Sequence, residues 1–292
     1  MHPPCPVFLK RPFLAGILLL LSFQGVHAQY DTRYVGLSNE TIDGELYTVV
    51  EMTRKDGRVK VKYFAGKDQS GKSVYKRYQE WSKNKSIISV CTGTYYDHYD
   101  RPVGICIDDG RTVNNAKVDD MDGLVVVYNS GEIVSSDLDK GPITVKDPKG
   151  NTQFDLRNTF DRSRFFTWSK ENKATVFQSH LLCYQNEMRF VGTGSSSQRK
   201  RRFLAVTKDP DQYLHYYLVN IESGNTLFKA TKKLVKFLGR YTKDIQCVIN
   251  LDTGRANAYE VRDSKGRIID EDGFRGEISL KNSKNMLVFY FE

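Results

Sequence analysis

The chain has 292 residues, of which 39% are hydrophobic and 27% charged, and its formal net charge at pH 7 is +9. This length suits one large domain or two small ones with ample chain for a buried core, and the absence of repeats and low-complexity tracts excludes a repeat or fibrous protein. The positive charge favours anionic partners such as phosphates, acidic glycans or a membrane surface.

The first 28 residues predict a cleavable signal peptide. Lys10 and Arg11 precede an apolar run over residues 13–23, and small residues follow at 26–28 in an A-x-A-like pattern. The run is short for a permanent membrane helix, although an uncleaved anchor is the alternative. We therefore expect residues 29–292 to be secreted, periplasmic or on the cell surface, without a transmembrane segment. Such a location argues against nucleic acid as a partner.

Short strands and tight turns predominate after the signal peptide. Hairpin signals occur at residues 55–57, 108–110 and 129–131, each a polar turn with glycine between apolar segments. Residues 70–83 predict a helix with one apolar face. The continuous apolar run over residues 87–91 predicts a buried strand.

The clearest helix is predicted over residues 226–238. Asn225 or Thr226 can cap its first turn, and Gly239 fits a left-handed position just past its end. The helix leads into an apolar strand at 247–251, which we expect to be central. Hairpins followed by a helix that precedes a central strand predict an α+β fold, a mixed β-sheet with helices packed on it, in a single domain. Further strands are predicted at 175–184, 203–207, 214–221, 257–262 and 286–291.

Cysteine and histidine usage argues against a metal site. Four cysteines follow residue 28, each within an apolar, strand-like run, and either disulfides or buried thiols fit this pattern. No Cys-x-x-Cys pair or Cys/His spacing of a zinc site is present. We therefore predict neither a metal nor an organic cofactor. The four cysteines are Cys91, Cys106, Cys183 and Cys247.

The first loop with candidate chemistry follows the strand at 87–91. Tyr95 and Tyr96 are adjacent aromatic residues that can stack on a sugar face, and Asp97 or His98 could transfer a proton. The alternative is a strand end with half-buried tyrosines and a solvated turn.

Two later loops also carry candidate groups. In the segment 192–202, small residues are followed by a run of basic residues. Arg202 directly precedes an apolar strand, where its guanidinium could present a fixed fork to a phosphate. Residues 199–201 are expected to be solvated. Asp252 comes at the end of the predicted central strand, a position suited to an active-site acid, and a turn-forming aspartate is the alternative.

The order of these segments resembles the phosphodiester glycosidase family, which includes a mannose 6-phosphate uncovering enzyme and many bacterial exported proteins. Residues 92–96 are similar to the family's N-G-G-F-F-like strand end, with Thr92 in place of the Asn. Residues 101–110 match its P-x-G-x-x-I-x-D-G-like hairpin, and 178–182 resemble its Q-[SA]-G-P-x-L-like strand. Arg202 opens a strand as in the family, and residues 250–255 resemble its N-L-D-G-G-G motif. The resemblance covers about residues 85–262.

The resemblance implies hydrolysis of the bond between a sugar anomeric carbon and a phosphate, with a phosphorylated or anionic glycan as substrate. It implies that Arg202, supported by Arg255, holds the phosphate and that Asp252 is nucleophile, base or electrostatic stabiliser. Thr253 and Arg255 replace glycines of the family, which should narrow the pocket. A glycan- or envelope-binding protein without catalysis on the same scaffold is therefore the alternative. Substrate contacts are expected from Thr92, Tyr95, Tyr96, Gln178 and Asn250, with Asp97 or His98 as proton carriers.

Overall fold

The computed structural model describes residues 30–148, 150–189, 198–254, 257–271 and 276–292. The predicted signal peptide lies outside these residues. Among the helices within these ranges, none is long and apolar enough to cross a membrane.

Strands dominate the described structure. In the first half, the elements are β1 (Val35–Ile42), β2 (Glu45–Thr53), β3 (Val59–Ala65), α1 (Val74–Ser82), β4 (Ser86–Cys91), β5 (Cys106–Asp108), β6 (Arg111–Asn114), β7 (Gly123–Val127), β8 (Ile133–Asp137), β9 (Ile143–Asp147) and β10 (Gly150–Phe154). The remaining elements are α2 (Thr159–Glu171), β11 (Thr175–Ser179), β12 (Leu181–Tyr184), β13 (Glu187–Met188), β14 (Arg199–Lys208), β15 (Leu214–Asn225), α3 (Leu227–Leu238), β16 (Asp244–Leu251), β17 (Tyr259–Arg262), β18 (Ile268–Glu271), α4 (Gly276–Asn282) and β19 (Asn285–Phe291).

These strands form three sheets and a two-stranded ribbon. Sheet I has the order β1-β2-β15-β14-β16-β12-β13, sheet II the order β6-β5-β11-β7-β8, and sheet III the order β18-β17-β4-β19-β3, while β9 and β10 form the ribbon. The predicted hairpins around residues 55–57, 108–110 and 129–131 differ in outcome. The second and third join β5 to β6 and β7 to β8 within sheet II. The first connects β2 to β3, which belong to different sheets.

The expectation of one mixed sheet is wrong. Helix α3 does lead from β15 to β16, as a crossover between parallel strands would. However, β14 lies between these two strands and pairs antiparallel with both. Every strand pair in the described part of the chain is antiparallel. The result is an α+β fold rich in strands, with separate sheets and few helices.

Of the two caps predicted for α3, one is confirmed. The Thr226 hydroxyl accepts a hydrogen bond from the Lys229 backbone N–H at 3.3 Å, which confirms the predicted N-cap. Gly239 ends the helix with a φ of −61°, so the predicted left-handed conformation is wrong. Its N–H donates to the Val235 carbonyl, which continues the helical pattern by one residue.

One apolar cluster fills the space shared by the three sheets. It includes Leu204 of sheet I, Phe177 of sheet II and Phe289 of sheet III, all fully buried. Each helix covers an outer face: α3 packs on sheet I, α2 on sheet II, and α1 with α4 on sheet III. Burial of each large apolar side chain stabilises the fold by about 1.5–3 kcal/mol.

The cysteines are buried free thiols. Cys183 and Cys247 lie on neighbouring strands, but Cys183 faces α3 and Cys247 faces the core shared by the sheets. Of the two alternatives left by the sequence, the structure therefore supports thiols. Burial raises the pKa of Cys247 to about 12 and that of Cys183 to about 11, which keeps both thiols protonated and unreactive.

Candidate functional site

The loops after β4 and β16 meet at the end of β16, an interior strand of sheet I, together with the short connection between β11 and β12. The backbone N–H of Asp252 donates to the Gly93 carbonyl at 3.0 Å. The backbone N–H of Asn250 donates to the His180 carbonyl, also at 3.0 Å. Two of the three segments singled out in the sequence are therefore adjacent, and residue 180 joins them.

Asp252 is a buried carboxylate, and only one of its oxygens accepts a hydrogen bond from a described residue. Its side chain is at the end of β16 and the residue is 6% exposed. Oδ1 accepts a hydrogen bond from the Gly254 N–H at 2.7 Å, whereas no described residue donates to Oδ2. A Cβ at position 254 would lie 2.9 Å from Oδ1, so a side chain there would displace the carboxylate from this position. Burial raises the pKa of Asp252, against the opposing effects of the Gly254 N–H and the Arg202 charge.

Tyr95 and Asn250 form a polar pair beside this carboxylate. The Asn250 amide donates to the Tyr95 hydroxyl oxygen, which leaves the phenolic O–H free to act as a donor. Asn250 Oδ1 is buried and has no donor within the described chain. Burial, and secondarily the Asp252 charge, raises the pKa of Tyr95, so the phenol stays protonated. The pair thus offers one donor and one acceptor next to a carboxylate.

His180 closes the other side of this pair. Its Nδ1 lies 2.9 Å from the Asp120 carbonyl oxygen, and its ring meets the Tyr95 ring edge-on with centroids 5.4 Å apart. Burial lowers the pKa of His180, and the positive charge of Arg201 adds to this effect. The sequence analysis did not select His180. The sequence feature that could have identified it is a histidine at the position where the resembled motif has glycine.

Arg202 forms a fork, as predicted, but its partners belong to the protein. Nη1 donates to Asn257 Oδ1 at 2.6 Å and to the Ala258 carbonyl at 3.1 Å, and Nη2 donates to Asn220 Oδ1 at 3.2 Å. The guanidinium also lies 4.1 Å from the centroid of the Tyr259 ring. With 1% of its surface exposed, Arg202 holds β14, β15 and the segment before β17 together.

Arg201 lies within electrostatic reach of the candidate site. It is 8% exposed, and its Nε donates to the Asn225 carbonyl at 3.2 Å. Its charge lowers the pKa of both Tyr95 and His180, which places the guanidinium within electrostatic reach of the two rings. Burial and the neighbouring Arg199 lower the pKa of Arg201 itself. The sequence analysis took this arginine as solvated, and that expectation is wrong.

The predicted proton carriers after Tyr96 lie in a separate turn. Asp97 Oδ1 accepts from the Tyr99 N–H at 2.8 Å and the Arg101 N–H at 3.0 Å, and the Arg101 guanidinium pairs with Oδ2 at 2.8 Å. These contacts lower the pKa of Asp97, with the Arg101 N–H the largest cause. His98 is exposed, with its ring centroid 3.7 Å from that of Tyr99. No contact in the described structure joins either residue to Asp252.

Gln178 has all its hydrogen-bonding capacity used by backbone groups. Its Oε1 accepts from the N–H groups of Ile105 at 3.0 Å and Val118 at 3.1 Å. Its Nε2 donates to the carbonyls of Val118 and Met121, both at 2.6 Å. The side chain is fully buried, so it joins β11 to the β6–β7 connection and presents nothing to a ligand.

Two further residues predicted to contact the substrate have partners within the protein. Thr92 is fully buried and its Oγ1 accepts from the Ala258 N–H at 2.7 Å. The Tyr96 hydroxyl donates to the Lys284 carbonyl at 2.9 Å, toward sheet III. Arg255 lies outside the described residues.

No metal site is evident in the described ranges, which contain no group of three or more histidine, cysteine or acidic side chains that could hold an ion. A cleft of about 710 Å³ lies away from Asp252, between α1 and β17, with Tyr78 and Glu260 in its lining. The candidate site is therefore defined by its unsatisfied polar atoms rather than by this cleft.

Comparison of the sequence with protein-family models finds no match, and comparison with curated proteins finds none. Solved structures do match. The catalytic domain of zebrafish N-acetylglucosamine-1-phosphodiester alpha-N-acetylglucosaminidase, auto-inhibited by its pro-peptide, is 15% identical, with a TM-score of 0.50 over 88% of this chain and 82% of that one.

Two bacterial structures match less well. A hypothetical protein from Synechocystis is 10% identical with a TM-score of 0.49, over 89% of this chain and 62% of that one. A putative exported protein from Burkholderia pseudomallei is 9% identical with a TM-score of 0.43, over 84% of this chain and 74% of that one. At these identities the comparisons show a fold similar to that of the zebrafish catalytic domain.

Proposed function

We propose that this chain is a hydrolase that cleaves sugar-1-phosphodiester bonds, with Asp252 beside the anomeric carbon. The observation that supports this most is a buried carboxylate next to Tyr95 and Asn250. Among the described residues, Asp252 Oδ2 and Asn250 Oδ1 have no donor and the Tyr95 O–H has no acceptor. Unsatisfied buried polar groups and a perturbed pKa are features of functional sites. The fold of the zebrafish phosphodiester glycosidase domain and the order of the resembled motifs agree with this chemistry.

The reaction builds positive charge on the sugar ring as the bond to phosphate breaks. An ionised Asp252 stabilises that charge, whether it attacks the anomeric carbon or acts through space. The low polarity around this carboxylate strengthens the interaction. Tyr95 and Asn250 would orient sugar hydroxyls, one as donor and the other as acceptor. Phosphate is already a good leaving group, so strong acid assistance is less necessary.

Phosphate binding is assigned to Arg201, with Arg202 as a positioning residue. Arg202 has three of its hydrogen bonds committed to Asn220, Asn257 and Ala258. Arg201 lies instead within electrostatic reach of Tyr95 and His180. A guanidinium in this setting suits a phosphodiester anion. Arg255 remains a candidate for support.

The second candidate function is binding of glycans or of a cell-envelope component without catalysis. The Thr253 hydroxyl donates to the Lys200 carbonyl at 2.9 Å, so a side chain occupies the loop where the resembled motif has glycine. That contact fixes the loop close to β14 and reduces the room for a ligand. Fold similarity alone does not decide between the two functions.

Export is part of the proposal and rests on residues 1–28. The charged, apolar and small segments follow one another in the order of a signal peptide. The N-terminal sequence of the protein recovered from outside the cytoplasm tests this: a mature chain starting at Gln29 supports export, and retention of residues 1–28 contradicts cleavage.

The activity is tested with a panel of sugar-1-phosphodiesters, including N-acetylglucosamine-1-phosphate esters, beside the corresponding simple glycosides. Wild type is compared with Asp252→Asn and with Asp263→Asn, a matched control. Asp263 also accepts a backbone N–H two residues on, from Lys265 at 2.9 Å, but lies in the β17–β18 turn. Turnover of phosphodiesters by wild type and Asp263→Asn, but not by Asp252→Asn, supports the proposal. Folded wild type that binds glycans and turns over no substrate favours the second function.

A further inference from the structure

The ring of His180 is held by two contacts that the proposed function does not use. The residue forms the single-residue connection between β11 and β12, and its carbonyl accepts the Asn250 N–H. Its Nδ1 lies 2.9 Å from the Asp120 carbonyl oxygen, and its face is set by the edge-on contact with Tyr95. The ring is thus fixed at the border of the Asp252 site.

The contact with Asp120 determines which nitrogen carries the proton. A backbone carbonyl only accepts hydrogen bonds, so Nδ1 must be the donor. In the neutral imidazole the lone pair is then on Nε2. No described residue forms a hydrogen bond with Nε2, which leaves it available to an external group.

We propose that His180 is a catalytic base whose Nε2 accepts the proton of the water that attacks the anomeric carbon. The inference rests on the proposed hydrolysis. In a single step, the water oxygen bonds to the anomeric carbon as the bond from that carbon to the phosphate oxygen breaks. In two steps, an Asp252 oxygen first displaces the phosphate oxygen, and the water oxygen then displaces Asp252 from the anomeric carbon. The electron pair of the broken bond stays on the phosphate monoester. The water proton moves to Nε2 and then to solvent.

The charges around the ring favour this role. Arg201 from β14 faces the ring and disfavours its protonation, while Asp120 opposes that effect. Tyr95, the other titratable neighbour, is held protonated by burial. Burial is the largest cause and lowers the pKa of His180 below its usual 6.5, so the ring is neutral at pH 7. Asp252 then need not accept the water proton and can stabilise the positive charge on the sugar ring.

The test compares His180→Gln with His98→Gln, a matched control at an exposed histidine. Loss of a general base lowers kcat by roughly 10²- to 10⁴-fold. We expect that loss for His180→Gln, with KM nearly unchanged, and wild-type kinetics for His98→Gln. In His180→Gly, added imidazole should restore part of the activity, an effect that a purely structural role would not produce. Circular dichroism on each variant confirms folding.

A second measurement uses wild type alone and needs no turnover. Long-range ¹H–¹⁵N NMR spectra of the histidine rings report the tautomer, and we expect His180 to carry its proton on Nδ1 and to titrate below pH 6.5. A proton on Nε2 of the neutral ring would overturn the proposal. So would His180→Gln activity within threefold of wild type. If wild type hydrolyses no phosphodiester, the proposed function fails and this role fails with it, whereas an active wild type with an unaffected variant overturns only the role of His180.

Discussion

The side-chain amide of Asn250 donates a hydrogen bond to the hydroxyl of Tyr95, and this contact joins the end of β16 to the loop after β4. The two residues are 155 positions apart in the chain, so the contact exists only in the folded protein. The phenol lies close enough to the Asp252 carboxylate for that charge to raise the pKa of Tyr95, after the larger effect of burial. Sheets I and III therefore both contribute to one polar site.

Tyr95→Phe should reduce turnover by about tenfold, since one oriented donor to the substrate is worth about 1.4 kcal/mol or more in the transition state. Tyr96→Phe is the matched control, because it also removes a hydroxyl, one that donates to the Lys284 carbonyl. Steady-state kinetics on a sugar-1-phosphodiester should separate the two variants. Wild-type turnover by Tyr95→Phe would show that the Tyr95 hydroxyl does not act on the substrate.

Asp252→Asn should stabilise the protein at pH 7 while removing activity. Burial raises the folded-state pKa of Asp252, so folding disfavours its ionised form. The favourable contribution of this group is present below its unfolded pKa and is lost as pH rises through the folded pKa. The asparagine keeps an oxygen for the Gly254 N–H without the charge. Thermal unfolding should therefore show a higher Tm for the variant at pH 7, with the difference shrinking in acid; a lower Tm at pH 7 would contradict the raised pKa.

Arg202→Lys should cost roughly 3 kcal/mol of folding free energy, because each buried acceptor left without a donor costs about 1–3 kcal/mol. A lysine keeps the charge but cannot serve Asn220, Asn257 and the Ala258 carbonyl together. Arg201 is less buried than Arg202, and its Nε donates to a backbone carbonyl, that of Asn225, so Arg201→Lys should change stability less. Urea denaturation measures the folding free energy of both variants.

Substrate kinetics measure the effect of the same two substitutions on phosphate binding. If Arg201 binds the phosphate, Arg201→Lys raises KM for phosphodiesters, because lysine keeps the charge but cannot form the two parallel hydrogen bonds of a guanidinium. A folded Arg202→Lys protein with a larger increase in KM than Arg201→Lys would return the phosphate role to Arg202.

Gln178→Leu should destabilise the fold by about 2–4 kcal/mol without a specific effect on substrate affinity. The leucine fills similar space but leaves two N–H groups and two carbonyls without their partner. Chemical denaturation gives the change in stability, and KM measured on the folded fraction gives the second readout. A raised KM with unchanged stability would restore Gln178 as a ligand contact.

The sequence identified the segments that form the candidate site better than it identified which residue of each segment lies in the site. Asp252 could be found because an apolar strand followed by a polar turn marks a strand end. Tyr95 and Asn250 likewise lie close to the end of an apolar strand. The choice between Arg201 and Arg202 depends on which face of β14 each occupies. Alternation sends neighbouring residues to opposite faces, and the pairing with β15 and β16 decides which face is which.

Long-range contacts account for the other errors. Gln178 has its partners 57 to 73 residues away, so no local pattern shows that its amide is fully used. The mixed sheet was predicted from the order of β15, α3 and β16, and only the insertion of β14 between the two strands makes every pair antiparallel. The hairpins at residues 108–110 and 129–131 and the Thr226 cap depend on local sequence and were predicted, whereas the turn at 55–57 joins strands of two sheets and Gly239 is not left-handed.

His215 should make stability depend on pH near neutrality. Its Nδ1 lies 3.1 Å from Glu51 and its Nε2 lies 3.2 Å from Asp209, and these carboxylates raise its pKa, Glu51 most strongly, against the effect of burial. The protonated ring therefore stabilises the fold fully below the unfolded pKa of about 6.5, and this contribution is lost as pH rises through the folded pKa. His215→Gln should lower Tm at pH 5.5–6 and have a smaller effect at pH 9, whereas the exposed His98→Gln should change Tm at neither pH. A constant difference between wild type and His215→Gln across this range would show that the ring acts through packing and neutral hydrogen bonds instead of its charge.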